Sequence, residues 1–263
     1  MRIGIITGSG TYALPGLEAD GPSEIATRFG PALVSEGTLA GVEVLHVSRH
    51  GEGHRRLSSA VTHQANLVAL RDLGARAILA ATVCGAVDPE LELGSLVVFD
   101  DLHFPANRLP DGSLCTLHTE PGAPGRGHWV FGDPFAGPLR RVLLEAARDA
   151  GVPVRDGGTY GHVDGPRFNT RAEIRGLAAC GVTAVSQTAG PETVLCGEAE
   201  LPYALLGFLT DYANGVQEEA TPLSTLEAMM AASGEAFARV LRAAVPRAAA
   251  AATAPTGVVY RFE

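Results

Sequence analysis

The sequence predicts an α/β fold: a single domain with a largely mixed β-sheet flanked by helices on both faces. Three observations predict it. Apolar and β-branched runs alternate with helical patterns along the 263 residues. The strongest runs, Arg2–Thr7, Ala77–Val83 and Tyr203–Leu209, are apolar almost without interruption, as strands covered on both faces must be. The composition, 46% hydrophobic but only 6% aromatic and 19% charged, suits Ala-, Val- and Leu-rich helices packed on such a sheet.

Arg2–Thr7 reads as the first strand and runs into the glycine turn Gly8-Ser9-Gly10. A strand followed by a glycine loop is a phosphate-cradle pattern. Gly8, Gly10 and Ala13 also satisfy a loose dinucleotide fingerprint, but Pro15-Gly16 breaks the helix that motif needs and the acidic ribose partner is missing. Val42–Ser48 is the next strand and ends on Arg49-His50-Gly51, where Arg and His together can hold an anion by charge-assisted hydrogen bonds. His46, His50 and His54 recur every fourth residue, yet a strand followed by Gly51 and Gly53 cannot present them as a helical metal face, so no metal is expected and His46 should bond locally. Ser59–Leu73 reads as a helix with Val61, Ala65, Val68 and Ala69 inward and Gly74 as its stop. The buried strand Ala77–Val83 ends in Thr82-Val83-Cys84-Gly85-Ala86, and Leu96–Phe99 is another strand.

Residues 103–134, rich in Gly, Pro, Asn and Asp, form a long loop of the kind that serves as a lid or cover. Pro138–Ala150 is a helix with Leu139, Val142, Leu143 and Ala146 inward. The chain is organised around Gly157–Thr188: a buried strand, a Gly165-Pro166-Arg167-Phe168 corner, a helix opened by the capping box Thr170–Glu173, and the strand residues Ala184-Val185 presenting Ser186, Gln187 and Thr188. Pro191-Glu192 is expected to start a further helix with Pro at its first position. Tyr203–Leu209 ends in Thr210-Asp211-Tyr212. Ser224–Glu227 matches a second capping box, before a long helix with Leu226, Met230, Phe237, Val240, Leu241 and Ala244 toward the core; methionines are expected in the core. The tail, 248–263, carries little signal, and a subunit contact would order it.

A net charge of −9 argues against a general nucleic-acid binder and requires a local basic site for any anionic ligand. Every apolar run is shorter than a membrane span, and the start lacks the apolar core of a signal peptide, so a cytoplasmic location with no membrane partner is expected. Cys84, Cys115, Cys180 and Cys196 are far apart, which leaves buried free thiols as the expected state.

Six motifs then coincide in order: IGIITGSG, SRHG, ATVCGAV, DGPRFNTRAE, SQT followed by Pro-Glu, and LTDY. Together they resemble the trimeric purine nucleoside phosphorylase family, and most of all its methylthioadenosine phosphorylase branch. The resemblance implies a nucleoside phosphorylase-like fold and phosphorolysis of a purine nucleoside to base and ribose 1-phosphate, in a homotrimer, with inorganic phosphate as co-substrate and no other cofactor. It places phosphate on Ser9, Arg49, His50, Thr82, Val83 and Thr188. It assigns the purine to Phe168, Asn169 and Asp211, with Asp211 as the group that protonates or hydrogen-bonds N7 of the leaving base. The ribose and its 5' group fall to Gln187, His54, Leu223 and Leu226, while His118 or Phe131 of the long loop is a candidate to complete a neighbour's site.

Asp211 favours a 6-aminopurine, because a carboxylate oxygen accepts from an amine but meets a 6-oxo group oxygen to oxygen. Asn169 and Gln187 depart from the residues usual at those positions, Ser or Glu and Met respectively, and Glu227 falls near the 5' pocket, where it would add polarity. The expected substrate is 5'-deoxy-5'-methylthioadenosine. The alternatives are a 6-oxopurine nucleoside phosphorylase, a hydrolase and a non-catalytic nucleoside-binding paralogue.

Overall fold

In the structure, a computed structural model that describes residues 1–262, the apolar run at 75–86 becomes the longest strand of the sheet. The elements are β1 (Arg2–Thr7), β2 (Glu18–Thr27), β3 (Gly30–Leu39), β4 (Val42–Ser48), α1 (His63–Asp72), β5 (Ala75–Ala86), β6 (Leu96–Val98), β7 (Asp101–His103), β8 (Gly127–Val130), α2 (Gly137–Asp149), β9 (Val154–Asp156), β10 (Thr159–His162), α3 (Arg171–Ala179), β11 (Val182–Ser186), α4 (Ala189–Glu198), β12 (Tyr203–Tyr212), α5 (Leu223–Ala250) and β13 (Val258–Arg261). The main sheet runs β2-β3-β4-β1-β5-β11-β10-β7, with β12 joined to β5 and β6, and β6 to β9. Parallel and antiparallel pairs are mixed, as expected.

β5 is shared between neighbours, and that sharing creates the site. Along one edge β1 pairs with it in parallel up to Ile6↔Ala80, and β11 meets it antiparallel only at Val185↔Gly85 and Ala184↔Ala86. Along the other edge β12 follows it from Tyr203↔Ile78 to Tyr212↔Ala86. Between Ala80 and Gly85, β5 therefore has strand neighbours on one side only, and the ends of β1 and β11 part around that stretch. This is the crevice at strand ends where open α/β sheets bind ligands.

Alternate residues of each central strand face opposite cores. Ile3, Ile5, Leu79, Leu206 and Phe208 pack with α2 and α5, whereas Ile6, Ile78, Leu205 and Leu209 pack with Leu67 and Leu70 of α1 and Leu195 of α4. The predicted inward faces of the first two helices are buried, and so are Phe237, Val240, Leu241 and Ala244 of α5. α3 covers a smaller cluster of Ile174, Val182 and Val185.

Several expectations are corrected. The first helix begins at His63, after a single 3₁₀ turn at Ser58–Ala60. α4 begins at Ala189, so Pro191 is its third residue. α5 is capped by Pro222 without a side-chain bond, so Ser224 and Glu227 form no capping box; at Thr170, by contrast, both reciprocal bonds exist. Leu226 and Met230 leave the core stripe and line the cavity described below, and Met1 is exposed. Cys84, Cys115 and Cys196 are buried free thiols, but Cys180 is exposed.

The long loop contains β8, which pairs with β13 of the tail, so an intrachain ribbon orders both. The loop is a cover: the Leu117 side chain is buried and Glu198 accepts from the Thr116 hydroxyl at 2.9 Å. β2 and β3, an antiparallel pair at the sheet edge, had no counterpart in the sequence-based expectations. Among the described residues no helix is long and apolar enough to cross a membrane.

Candidate active site

The parting of β1 and β11 opens a cavity of about 300 Å³, at the small end of the range for ligand sites. It is lined by Ser9, Arg49, His50, Thr82, Val83 and Thr188 at one end, and by Phe168, Asn169 and Asp211 at the other, with Gln187, His54 and Leu226 also on its wall. Twelve of the thirteen expected residues are thus brought together across 218 positions of sequence by the strand ends and the corner. The exception is Leu223, which is 68% exposed and lies outside the lining.

At the first end, Arg49 is wholly buried. Its Nη1 donates to the Ala81 carbonyl at 2.6 Å, the first β5 carbonyl beyond the last β1 partner, and its Nε and Nη2 donate to Glu192. Burial disfavours the guanidinium charge, but the Glu192 carboxylate more than offsets it and the pKa rises. A Cβ at Gly8 would lie 2.8 Å from Nη1, so glycine is required for β1 to end against this side chain.

His50 Nδ1 lies 2.8 Å from the Arg56 carbonyl, which can only accept, so this nitrogen carries the hydrogen. Burial first, then the nearby Arg49 and His54 against the opposing Arg56 bond, bring the His50 pKa down to about 4. The neutral ring then offers Nε2 as an acceptor, suited to the one hydroxyl of monohydrogen phosphate. The Thr82 hydroxyl is 3.0 Å from Ser186 Oγ. Thr188 stands at the N-cap of α4 without capping it, which leaves its hydroxyl at the helix end that favours anions.

The second end is built around a buried carboxyl, Asp211. β12 carries a register shift between Leu209 and Asp211, so that two of its residues oppose one step of β5. Such bulges re-aim side chains. The Thr210 hydroxyl donates to Asp211 Oδ1 at 2.8 Å, and a Cβ at Gly85 would come within 3.2 Å of Oδ2. Burial raises the Asp211 pKa against the lowering effect of the Thr210 bond. The Phe168 ring is 59% exposed although it lines the cavity, a large apolar face left for a planar ligand. The Asn169 carbonyl accepts from Asn214 Nδ2 at 2.7 Å, and its own side chain remains in the lining.

Between the ends, Gln187 Oε1 accepts from Ser58 at 2.8 Å and its Nε2 donates to the Arg167 carbonyl at 3.2 Å. The amide pins the Gly165–Phe168 corner and has one further hydrogen and one further lone pair beyond those two bonds. His54 stacks on His50 at 4.2 Å, and its Nδ1 lies 2.9 Å from the Tyr12 hydroxyl. Beside it the wall is apolar, from Leu57, Leu226 and Met230. Glu227 is exposed and outside the lining, so the polarity expected from it is not there.

Among the described residues no group of three or more His, Cys, Asp or Glu side chains could hold a metal ion. His46 bonds locally, its Nε2 lying 2.7 Å from the Thr7 hydroxyl. Sequence reasoning missed Glu192, Tyr12, Leu57 and Ser58. Glu192 was visible only as a helix-start residue, since its partner Arg49 lies 143 positions away.

The Phosphorylase superfamily model matches residues 2–246. The chain belongs to this superfamily. Its relatives within it are purine nucleoside phosphorylases, enzymes of the pentosyltransferase type. The S-methyl-5'-thioadenosine phosphorylase of Mycolicibacterium smegmatis is 38% identical over 82% of this chain and 79% of its own. The 6-oxopurine nucleoside phosphorylase of Pyrococcus furiosus is 32% identical over 93% of this chain and 92% of its own. Among solved structures, methylthioadenosine phosphorylase from Schistosoma mansoni in complex with adenine superposes with a TM-score of 0.86 at 29% identity, covering 95% of this chain and 92% of that one. The curated relatives therefore carry both substrate names.

The raised Asp211 pKa has a thermodynamic consequence for this phosphorylase. Asp211 binds its proton more tightly in the folded than in the unfolded chain, so this contribution to stability is complete below the ordinary carboxylate pKa and is lost as pH rises through the raised one. Asp211→Asn is expected to raise the melting temperature at neutral pH, with the gain shrinking in acid below the ordinary carboxylate range. A lower melting temperature at neutral pH would contradict the burial account.

Proposed function

We propose that the chain catalyses phosphorolysis of a 6-aminopurine nucleoside, 5'-deoxy-5'-methylthioadenosine, to adenine and the 1-phosphate of the sugar. The observation that carries this reading is the buried Asp211 carboxyl sharing one cavity with an apolar wall of Leu57, Leu226 and Met230. A carboxyl held toward its protonated form can donate to purine N7 as the glycosidic bond breaks. Its other oxygen accepts from the exocyclic amine. The apolar wall suits a methylthio group better than a 5'-hydroxyl.

Cleavage passes through an oxocarbenium-like sugar, as in glycoside hydrolysis. Phosphate, held by Ser9, Arg49, His50, Thr82, the Val83 backbone and Thr188, stabilises that cation from below and captures it through an oxygen. Phe168 stacks on the base, Asn169 faces its edge, and Gln187 and His54 meet the sugar and its 5' side. No further cofactor enters this scheme.

A second reading, a 6-oxopurine nucleoside phosphorylase, is favoured by Asn169, whose amide hydrogens can donate to a 6-oxo group, and by the name of the Pyrococcus furiosus relative. A homotrimer is part of the proposal. No residue of the 103–134 loop lines the cavity of its own chain; Phe131 is 44% exposed and so available to a neighbour, whereas His118 Nε2 is buried within its own chain.

With phosphate present, methylthioadenosine is expected to turn over faster than adenosine and much faster than inosine, and Asp211→Asn should lower methylthioadenosine turnover by about 100-fold or more. Turnover of inosine alone would overturn the base assignment, and an unchanged Asp211→Asn rate would remove Asp211 from the mechanism. Sedimentation is expected to return three times the chain mass; a monomer at micromolar concentration would remove the shared site.

A further inference from the structure

One charged side chain beside the cavity has no part in the scheme so far. Glu192, in the first turn of α4, is 3% exposed, and both its carboxylate oxygens accept from Arg49: Oε1 from Nε, and Oε2 from Nη2 at 2.8 Å. The Tyr203 hydroxyl donates to the same Oε2 at 3.1 Å. Two parallel bonds fix the plane of a guanidinium as well as its place.

The donors of Arg49 can be counted. Nε and one hydrogen of Nη2 go to Glu192, and one hydrogen of Nη1 goes to the Ala81 carbonyl, which leaves one hydrogen on each of Nη1 and Nη2. Nη1 lies 2.8 Å from where a Cβ on Gly8 would stand, at the end of the cavity that also holds His50 and Thr82. The remaining titratable neighbour of Glu192 on α1 is His63, whose Nδ1 stands 3.8 Å from Oε1. Neither ring nitrogen of His63 has a partner, and burial, followed by repulsion from Arg49 and His50, brings its pKa down to about 3. His63 is therefore neutral, and among the described residues Arg49 is the one cation paired with Glu192.

We propose that Glu192 is a positioning residue for phosphate binding: by clamping Nε and Nη2 of Arg49 it turns the free Nη1 hydrogen toward an anion seated between Gly8 and Thr82. The inference rests on phosphate occupying that end of the cavity. Glu192 does not touch the anion, so its removal acts on phosphate affinity and leaves nucleoside binding in place. The Tyr203 phenol braces the clamp through Oε2.

Steady-state kinetics with phosphate and nucleoside varied separately test the proposal. Glu192→Gln is expected to raise the phosphate KM about 30-fold, with the nucleoside KM at saturating phosphate within about threefold of the wild-type value. A folded Glu192→Gln protein whose phosphate KM stays within about twofold of wild type, or whose two KM values rise equally, overturns it. If that protein does not fold, Tyr203→Phe decides, since it removes only the phenol: a phosphate KM raised about threefold supports the clamp, and an unmoved one overturns it. Wild-type turnover at full rate without phosphate would remove the phosphate site itself. Phosphate-dependent wild-type turnover with an unmoved KM in the variant would remove only the positioning role.

Discussion

The rest of the structure depends on a buried ion pair at the place where the sheet divides. β1 stops pairing with β5 at Ala80, and the next carbonyl, that of Ala81, is taken by the Arg49 guanidinium instead of a strand. Arg49 is held there by Glu192 of α4, so the pair joins the end of β4 to β5 and to the helix that follows β11. Losing one partner of such a pair leaves an uncompensated buried charge and costs about 3–5 kcal/mol. The same contact that closes the sheet therefore keeps a cation on the buried wall of the cavity. The ion pair and the proposed anion site thus share one side chain.

The two ends of the cavity make opposite electrostatic demands. A chain with a net charge of −9 must gather an anion locally. The groups suited to that task, Arg49, the Thr82 and Thr188 hydroxyls and the N-terminal end of α4, with His50 kept neutral, are gathered at one end of the cavity. The other end keeps a carboxyl in apolar surroundings, where burial favours its proton. The bulge in β12 and the glycine at position 85 bring that carboxyl to the cavity wall. In the proposed reaction the first end supplies the nucleophile beneath the sugar and the second receives the leaving base above it.

The central strands were legible because burial on both faces writes itself as unbroken apolar runs: β1, β5 and β12 all coincide with such runs. The capping box at Thr170 was legible because its two bonds are local. The same pattern at Ser224 misled, since Pro222 already fixes the start of α5 and no side-chain bond is made there. β2 escaped notice because eight of its ten residues are exposed, and its Asp20-Gly21-Pro22 resembles a turn. The β8–β13 ribbon joins segments more than 120 residues apart, which no local pattern encodes. In the site, residues at strand ends and turns were found from the six motifs. Glu192 and Leu57 were not, because their positions around the cavity arise only from packing; Leu223, the first residue of α5, faces solvent while Leu226 joins the lining.

The central claim is that the gap between β1 and β11 holds phosphate beside Arg49, with the nucleoside extending toward Asp211. A crystal structure of the protein with phosphate and a non-reactive analogue of methylthioadenosine tests it most directly. The phosphorus is predicted to lie within hydrogen-bonding reach of Arg49, Thr82 and Thr188, with the purine between Phe168 and Asp211. Phosphate bound away from Arg49, or the base and phosphate ends exchanged, would contradict the account.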